Sequence, residues 1–297
     1  MVKQTKEKGT KQVVGNAPTR GTKPEEQALA KTATATELST ALDFGEDYGQ
    51  GFENQTSADK KLPILEVLQA KSPLVEDPEK NPDEKFKAGM FHNTATDEVY
   101  SGKTGIVLVP AITEHLYIEW VPREKGGGFV AAHPLGSDVA NFCAGKFGRV
   151  PLASGNEVQE TFQIFGVIVE DNDESAPIGA VVIPFVSKKI NTYKGLSTRL
   201  SQFQVPVNIN GETRKVTPPL FSHRIRLTTV FEQNPKGPAY NIAADSFKDS
   251  LASSLIGKSH PAYQMAKKLR DDYMAGLVKM QTPTDEPAGD PSNAGHF

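Results

Sequence analysis

The sequence predicts a mainly β protein of the α+β class, and three observations carry that expectation. Short apolar runs are rich in β-branched and aromatic residues, the segments between them hold Gly, Pro and acidic turns, and a helical period appears only late in the chain. Residues 62–69 (LPILEVLQ) open the folded part, and Pro73, Pro78 and Pro82 impose a loop after them. The run 104–110 ends in proline, 116–121 (LYIEWV) is β-branched and aromatic, and Gly126, Gly127 and Gly128 form a tip that returns into a strand from Phe129. Further strands are expected over 161–170, 178–186 and 225–232, the first two joined by the acidic loop 170–175 as a hairpin. A short helix is expected over 246–256, stopped by Gly257. Ser259-His260-Pro261 starts a longer one whose face carries Met265, Leu269, Tyr273 and Leu277.

Strands in series followed by helices point to an OB-like, partly closed antiparallel barrel with C-terminal helices and unstructured tails. The boundaries read as a basic-then-acidic arm over 1–58, a β-rich core over 59–245, a helical segment over 246–280 and an acidic tail over 281–297. Residues 1–24 hold six cations against Glu7 alone, and this arm lacks the apolar residues that would offset its ordering entropy. The tail carries Asp285, Glu286 and Asp290 and ends on Phe297.

Composition narrows the function classes. The chain of 297 residues has a formal charge of −3, which excludes a histone-like polycation. Its 37% hydrophobic content lies below the roughly 45–50% of a compact domain, as expected if the ends are unpacked. No run of about 18 apolar residues marks a membrane span, and the polar N-terminus lacks a signal-peptide core. Cys143 is the single cysteine, so no intrachain disulfide is expected.

Catalytic signatures fail on spacing. Ser101-Gly102-Lys103-Thr104 resembles the end of a P-loop, but Asp97 stands where that loop needs its first glycine. The glycines 126–128 precede a strand rather than a helix, so they form no dinucleotide fingerprint. The six histidines are scattered without metal-ligand spacing, no Gly-x-Ser-x-Gly elbow occurs, and the acidic loop 170–175 reads as a solvated turn. The expectation is a non-enzyme that needs no cofactor.

Charge distribution is more informative. Between 178 and 231, Lys188, Lys189, Lys194, Arg199, Arg214, Lys215, Arg224 and Arg226 face Glu212 alone, a local balance of +7, with Tyr193 and Phe203 interleaved. Cations track a phosphate backbone and flat rings stack unpaired bases, which is what single-stranded nucleic acid requires. A solvated basic face with core phenylalanines is the alternative. Trp120, with Arg123 and Lys125 in the following loop, is a second candidate surface.

The acidic tail ending in Phe297 resembles the C-terminus of bacterial and phage single-stranded DNA-binding proteins, with fewer acids and with His296 before the last residue. Leu62-Pro63-Ile64-Leu65, Gln69-Ala70-Lys71-Ser72-Pro73, Ile118-Glu119-Trp120, Gly126-Gly127-Gly128-Phe129, Phe185-Val186-Ser187-Lys188-Lys189 and Asn234-Pro235-Lys236-Gly237 are similar to proteins of tailed bacteriophages over roughly 43–245. That resemblance implies a phage protein of DNA replication or recombination, acting in the cytoplasm of the infected cell. Its expected partner is single-stranded DNA, with phage replication proteins met through Phe297 and room for a homo-oligomer. A virion or scaffold protein is the second expectation.

Overall fold

The computed structural model describes residues 50–51, 62–234 and 237–278. The chain divides into two units, Met1–Glu53 and Asn54–Phe297, and every described strand and helix belongs to the second. The expected arm, apart from residues 50–51, and the acidic tail with Phe297 lie outside the described residues.

The elements in chain order are β1 (Leu65–Val67), α1 (Pro73–Glu76), β2 (Phe91–Asn93), β3 (Val99–Tyr100), β4 (Ile106–Trp120), β5 (Phe129–Pro134), α2 (Asp138–Cys143), β6 (Arg149–Pro151), β7 (Glu157–Val169) and β8 (Pro177–Val186). They continue with α3 (Lys189–Gln202), β9 (Val205–Ile209), β10 (Glu212–Val216), β11 (Ile225–Asn234), β12 (Gly237–Ser246) and α4 (Pro261–Met274). The two runs expected at 104–110 and 116–121 are parts of one strand, β4.

The main sheet is antiparallel and centred on β4 paired with β7, from Val107↔Val169 to Trp120↔Glu157. The outer edge of β4 takes β11 at its start and β5 at its end, and that of β7 takes β8 and then β6. β12 extends the sheet beyond β11. The hairpin expected at 170–175 joins β7 to β8 as read, and the glycine tip joins β4 to β5.

The barrel does not close, because no ladder joins β8 to β12 among the described residues. The chain around β1 spans the gap instead. Val182 donates its N–H to the Pro63 carbonyl at 2.8 Å, and the Gln69 amide accepts from Tyr240 N at 2.8 Å and donates to Tyr240 O at 3.0 Å. A side-chain amide thus takes the place of a strand partner on β12.

Both faces of the sheet are covered, which explains why 106–109 reads as a continuous apolar run rather than an alternation. Ile106 and Leu108 enter a core with Ile164, Ile183 and Leu227, closed by β1 and by the α3 stripe Ile190, Tyr193, Leu196 and Leu200. Val107 and Val109 enter the opposite core with Phe165 and Val167 under α4.

Three helical expectations change. Residues 189–202 form α3, a helix that the sequence reading, which sees there a basic stretch after a strand, does not include. Segment 246–256 forms turns rather than a helix, since Ser250, Ser253 and Ser254 hydroxyls take the local backbone hydrogen bonds. α4 starts as read, with His260 Nδ1 accepting from Ala262 N at 3.1 Å, but its buried face is Ala262, Tyr263, Ala266 and Leu269. The alanines let the helix approach the sheet and turn Met265 outward.

Two local constraints are testable. Gly102 packs against the Gly89 carbonyl and the Thr229 hydroxyl, and a Cβ there would collide with both. Gly102→Ala should therefore cost about 2–3 kcal/mol, read as a lower urea midpoint with an unchanged slope. His92 is buried between Glu66 and Asp97, each 3.1 Å from one ring nitrogen. Burial pulls its pKa down, but the two carboxylates outweigh that and hold it above the ordinary value. Its stabilisation should be complete below about pH 6.5 and lost as pH rises through the raised folded value. Melting curves of the protein and His92→Asn should converge between acid and mildly alkaline pH; a constant gap would contradict the linkage.

Candidate nucleic-acid interface

The eight cations of the basic stretch have different fates. Arg224 is 4% exposed and donates to the Ser254 carbonyl at 3.2 Å, the Asp173 carbonyl at 3.1 Å and Ser175 Oγ at 2.9 Å. It has no face to offer a phosphate, so its expected binding role is replaced by a structural one. Arg226 holds Asp171 with two hydrogen bonds of 2.6 and 2.7 Å, and the guanidinium keeps that carboxyl below its usual pKa. The acidic loop is therefore a clamp on β11 rather than a purely solvated turn.

Lys188 lies 3.6 Å from Glu232, Arg214 pairs with Glu212 at 2.8 Å, and Arg199 donates to the Ala244 carbonyl at 2.6 Å beside Asp245. These pairs sit on the surface, where an ion pair contributes little and can be exchanged for another anion. Lys189 is half-buried, and burial pushes its pKa down against the opposing pull of Glu66. Lys194 and Lys215 are exposed, with no acid at ion-pair distance among the described residues.

The expected stacking residues are mostly enclosed. Tyr193 is 8% exposed, with its ring 4.6 Å from Phe162 and 5.8 Å from Phe185, because helical spacing turns it into the core stripe of α3. It has no ring face free for an open stacking platform. Phe203 is half-buried, edge-on to His223 at 5.9 Å. Trp120 is half-buried, edge-on to Phe129, with the Arg149 guanidinium 5.9 Å from its ring. Arg123 lies in the 3-10 turn Arg123–Lys125, and Lys125 donates to the Gly155 carbonyl at 3.3 Å.

Of the exposed rings among the described residues, Phe231 of β11 is 58% exposed and edge-on to Tyr240 at 5.5 Å, and two others lie on the lobe that carries α2. Ser137 caps this helix by accepting from Ala140 N at 3.2 Å, and Ala140 and Cys143 pack against Tyr117 and Val158 of the sheet. Phe142 is left facing outward at 53% exposure, with Lys146 Nζ 3.4 Å from its ring centre. Phe147 follows at 78% exposure between Gly145 and Gly148, both at positive φ. The sequence signal that marks this lobe is Phe-x4-Phe with Lys146 and Arg149 beside it, a pattern outside the basic stretch and overlooked beside Cys143.

Polar groups fix the strands beside this lobe. Glu119 accepts from Asn156 Nδ2 at 2.6 Å and pairs with His133 at 2.8 Å, and these contacts keep its carboxyl below the ordinary pKa. His115 pairs with Glu160 at 3.0 Å and stacks on Phe162 at 3.9 Å, and Lys194 Nζ lies 5.3 Å from the same ring. Among the described residues no three His, Cys, Asp or Glu side chains converge as metal ligands, and no helix is long and apolar enough to cross a membrane.

The assignment of Arg224 is testable by denaturation. Arg224→Ala leaves its carbonyl and hydroxyl acceptors unpaired and should cost about 3–5 kcal/mol. Arg199→Ala, at the surface, should stay within about 0.5 kcal/mol. Equal small losses would return Arg224 to the surface cations.

Comparison with known proteins adds the origin. No curated protein and no solved structure matches the chain. A family model described as Pam3 phage gp34-like protein matches residues 30–279. That match covers well over half of the sequence and agrees with the phage resemblance, so the chain belongs to the Pam3 phage gp34-like family.

Proposed function

We propose that this phage protein binds single-stranded DNA without catalysing a reaction, in replication or recombination. The observation that carries the reading is the α2 lobe, where Phe142 and Phe147 stand exposed and Lys146 lies over the Phe142 ring, with Arg149 two residues on, paired with Glu157 at 3.1 Å on the surface. Unpaired bases stack on such rings, and adjacent cations neutralise the phosphates between them. Lys194 and Lys215 add charge on α3 and on the β9–β10 ribbon, while Lys188, Arg199 and Arg214 can exchange a surface acid for a phosphate. With a net charge of −3, attraction comes from local patches and is screened within about a Debye length.

A second reading, a virion or scaffold component, is favoured by one feature. The ribbon turns at Asn210-Gly211, both at positive φ, as a two-residue hairpin requires. Its cross-strand pairs put Val205, Val207, Ile209 and Val216 on one face, with Val207 and Ile209 exposed. Two-stranded ribbons are marginal alone and gain from contact with another surface.

Fluorescence anisotropy with labelled single-stranded DNA, single-stranded RNA and duplex DNA across a salt series separates the readings. Binding to single strands should weaken steeply with salt, and Lys194→Ala with Lys215→Ala should flatten the log–log slope by roughly 0.7 per lost phosphate contact. Phe147→Ala should cost about 1–3 kcal/mol of binding while leaving the melting temperature unchanged. Absence of binding at low salt, with large DNA-free assemblies in sedimentation, would replace this reading with the structural one.

A further inference from the structure

The α2 lobe is one continuous excursion of the chain. It leaves the body at Tyr117 of β4 and returns at Glu160 of β7, and these two residues are cross-strand partners. Between them lie the end of β4, then β5, α2 and β6, and the start of β7. The excursion has its own core: Tyr117, Ala140, Cys143, Val150 and Val158 pack together, and none of them enters the core under α3 or the one under α4. Apart from Tyr117 these side chains are small, so this core removes less apolar surface from water than the Ile, Leu and Phe of the body. Among the described residues, the side-chain hydrogen bonds that leave the excursion all sit at its neck. They run from His115 to Glu160 at 3.0 Å, from Gln159 to Ser187 Oγ at 3.1 Å and from the Thr161 hydroxyl to the Gln159 carbonyl at 3.2 Å.

The strongest internal tie is polar. Glu119, 8% exposed on β4, accepts from Asn156 of the β6–β7 turn at 2.6 Å and pairs with His133 of β5 at 2.8 Å, so one carboxylate joins three elements of the lobe. Lys125 of the β4–β5 connection donates to Gly155 in the same turn at 3.3 Å. A buried acceptor stripped of its donors carries an uncompensated desolvation cost.

We propose that residues 117–160 open as one cooperative unit while the body stays folded, with Glu119 as the clasp that sets how often they do so. The ladder from Val107↔Val169 to Leu116↔Thr161 keeps the two ends of the unit side by side, so opening requires no other segment to move. Regions with few buried apolar contacts open below the free energy of global unfolding. Phe142 and Phe147 ride on this unit, so the exposed rings are presented in its closed state alone, whichever ligand they serve.

The chain carries its own reporter, since Cys143, its single cysteine, is 1% exposed inside the lobe core. The test labels this thiol in the full chain with an aromatic disulfide reagent across a urea series and follows amide exchange by mass spectrometry. Labelling at low urea should run at least about tenfold faster than global unfolding allows, with a smaller urea slope than the body amides, because opening exposes the lobe alone. Amides of β5, α2 and β6 should exchange together, ahead of those of β8 and β11. Glu119→Gln should speed labelling about tenfold with body exchange unchanged. Asn156→Ala, which removes one donor and keeps the carboxylate, should act in the same direction. Leu196→Ala, on α3, should speed body exchange and leave labelling at low urea as it was. Cys143 labelling that shares the urea slope and free energy of the body amides would overturn the independent opening. Labelling unmoved by both Glu119→Gln and Asn156→Ala, or body exchange accelerated as much as labelling, would overturn the clasp.

Discussion

The pairing of β4 with β7 is the constraint on which the rest of the molecule depends. Both strands are long, both have two buried faces, and the neighbouring strands of the main sheet attach to one or the other of their outer edges, with β12 held through β11. A break in register between Pro110 and Ile112 decides what each face carries. Before it, Leu108 faces Ile168 in the α3 core and Val109 faces Val167 in the α4 core. After it, Thr113 is opposite Ile164 and His115 opposite Phe162, so odd-numbered residues now reach the α3 side. Proline cannot donate to a ladder and is tolerated inside a sheet at such an irregularity. Pro110 thus sits at the position that puts Thr113 opposite Ile164 and His115 on Phe162.

A second dependence runs through charge. The excess of cations between 178 and 231 is real in sequence, but most of its partners come from outside that window: Asp171 for Arg226, the Asp173 carbonyl for Arg224, Glu232 for Lys188, Asp245 for Arg199. Counting charge along the chain therefore overstates the free field. Burial separates the cases, since Arg224 would leave an unpaired buried charge if its acceptors were lost, while Arg199 and Arg214 meet solvent.

Legibility follows the range of the interactions involved. Strands over 161–170, 178–186 and 225–232, the acidic hairpin and the start of α4 rest on local patterns, and each is readable. Barrel closure is not, because it depends on whether β8 and β12 meet, and Gln69 fills that gap from far away in the chain. α3 is hidden by its composition. Lys, Asn, Thr, Gly and Ser separate Ile190, Tyr193, Leu196 and Leu200, and only their helical spacing betrays a buried stripe. Tyr193 is misplaced for the same reason, since a ring read as a stacking residue of the basic stretch is enclosed on a helix. Phe142 and Phe147 are legible as rings near cations, yet the exposure of Phe142 follows from Ala140 and Cys143 taking the inward face of α2, and Phe147 lies beyond the helix between two glycines at positive φ.

α3 joins the two halves of the proposed interface. Its inner stripe closes the core, and its outer face carries Lys194, Ser197, Arg199 and Ser201. Along β4 on the same face, Thr113 lies opposite Ile164 and Tyr117 supports the α2 lobe, four residues and roughly 13 Å apart at about 3.3 Å per residue. His115 lies between them, stacked on Phe162 with Lys194 beside the same ring. A single strand crossing this span would meet an exposed ring and then a histidine with a nearby cation. On the proposed reading, affinity would scale with the number of bases placed and would show little sequence preference, because open stacking accepts any base.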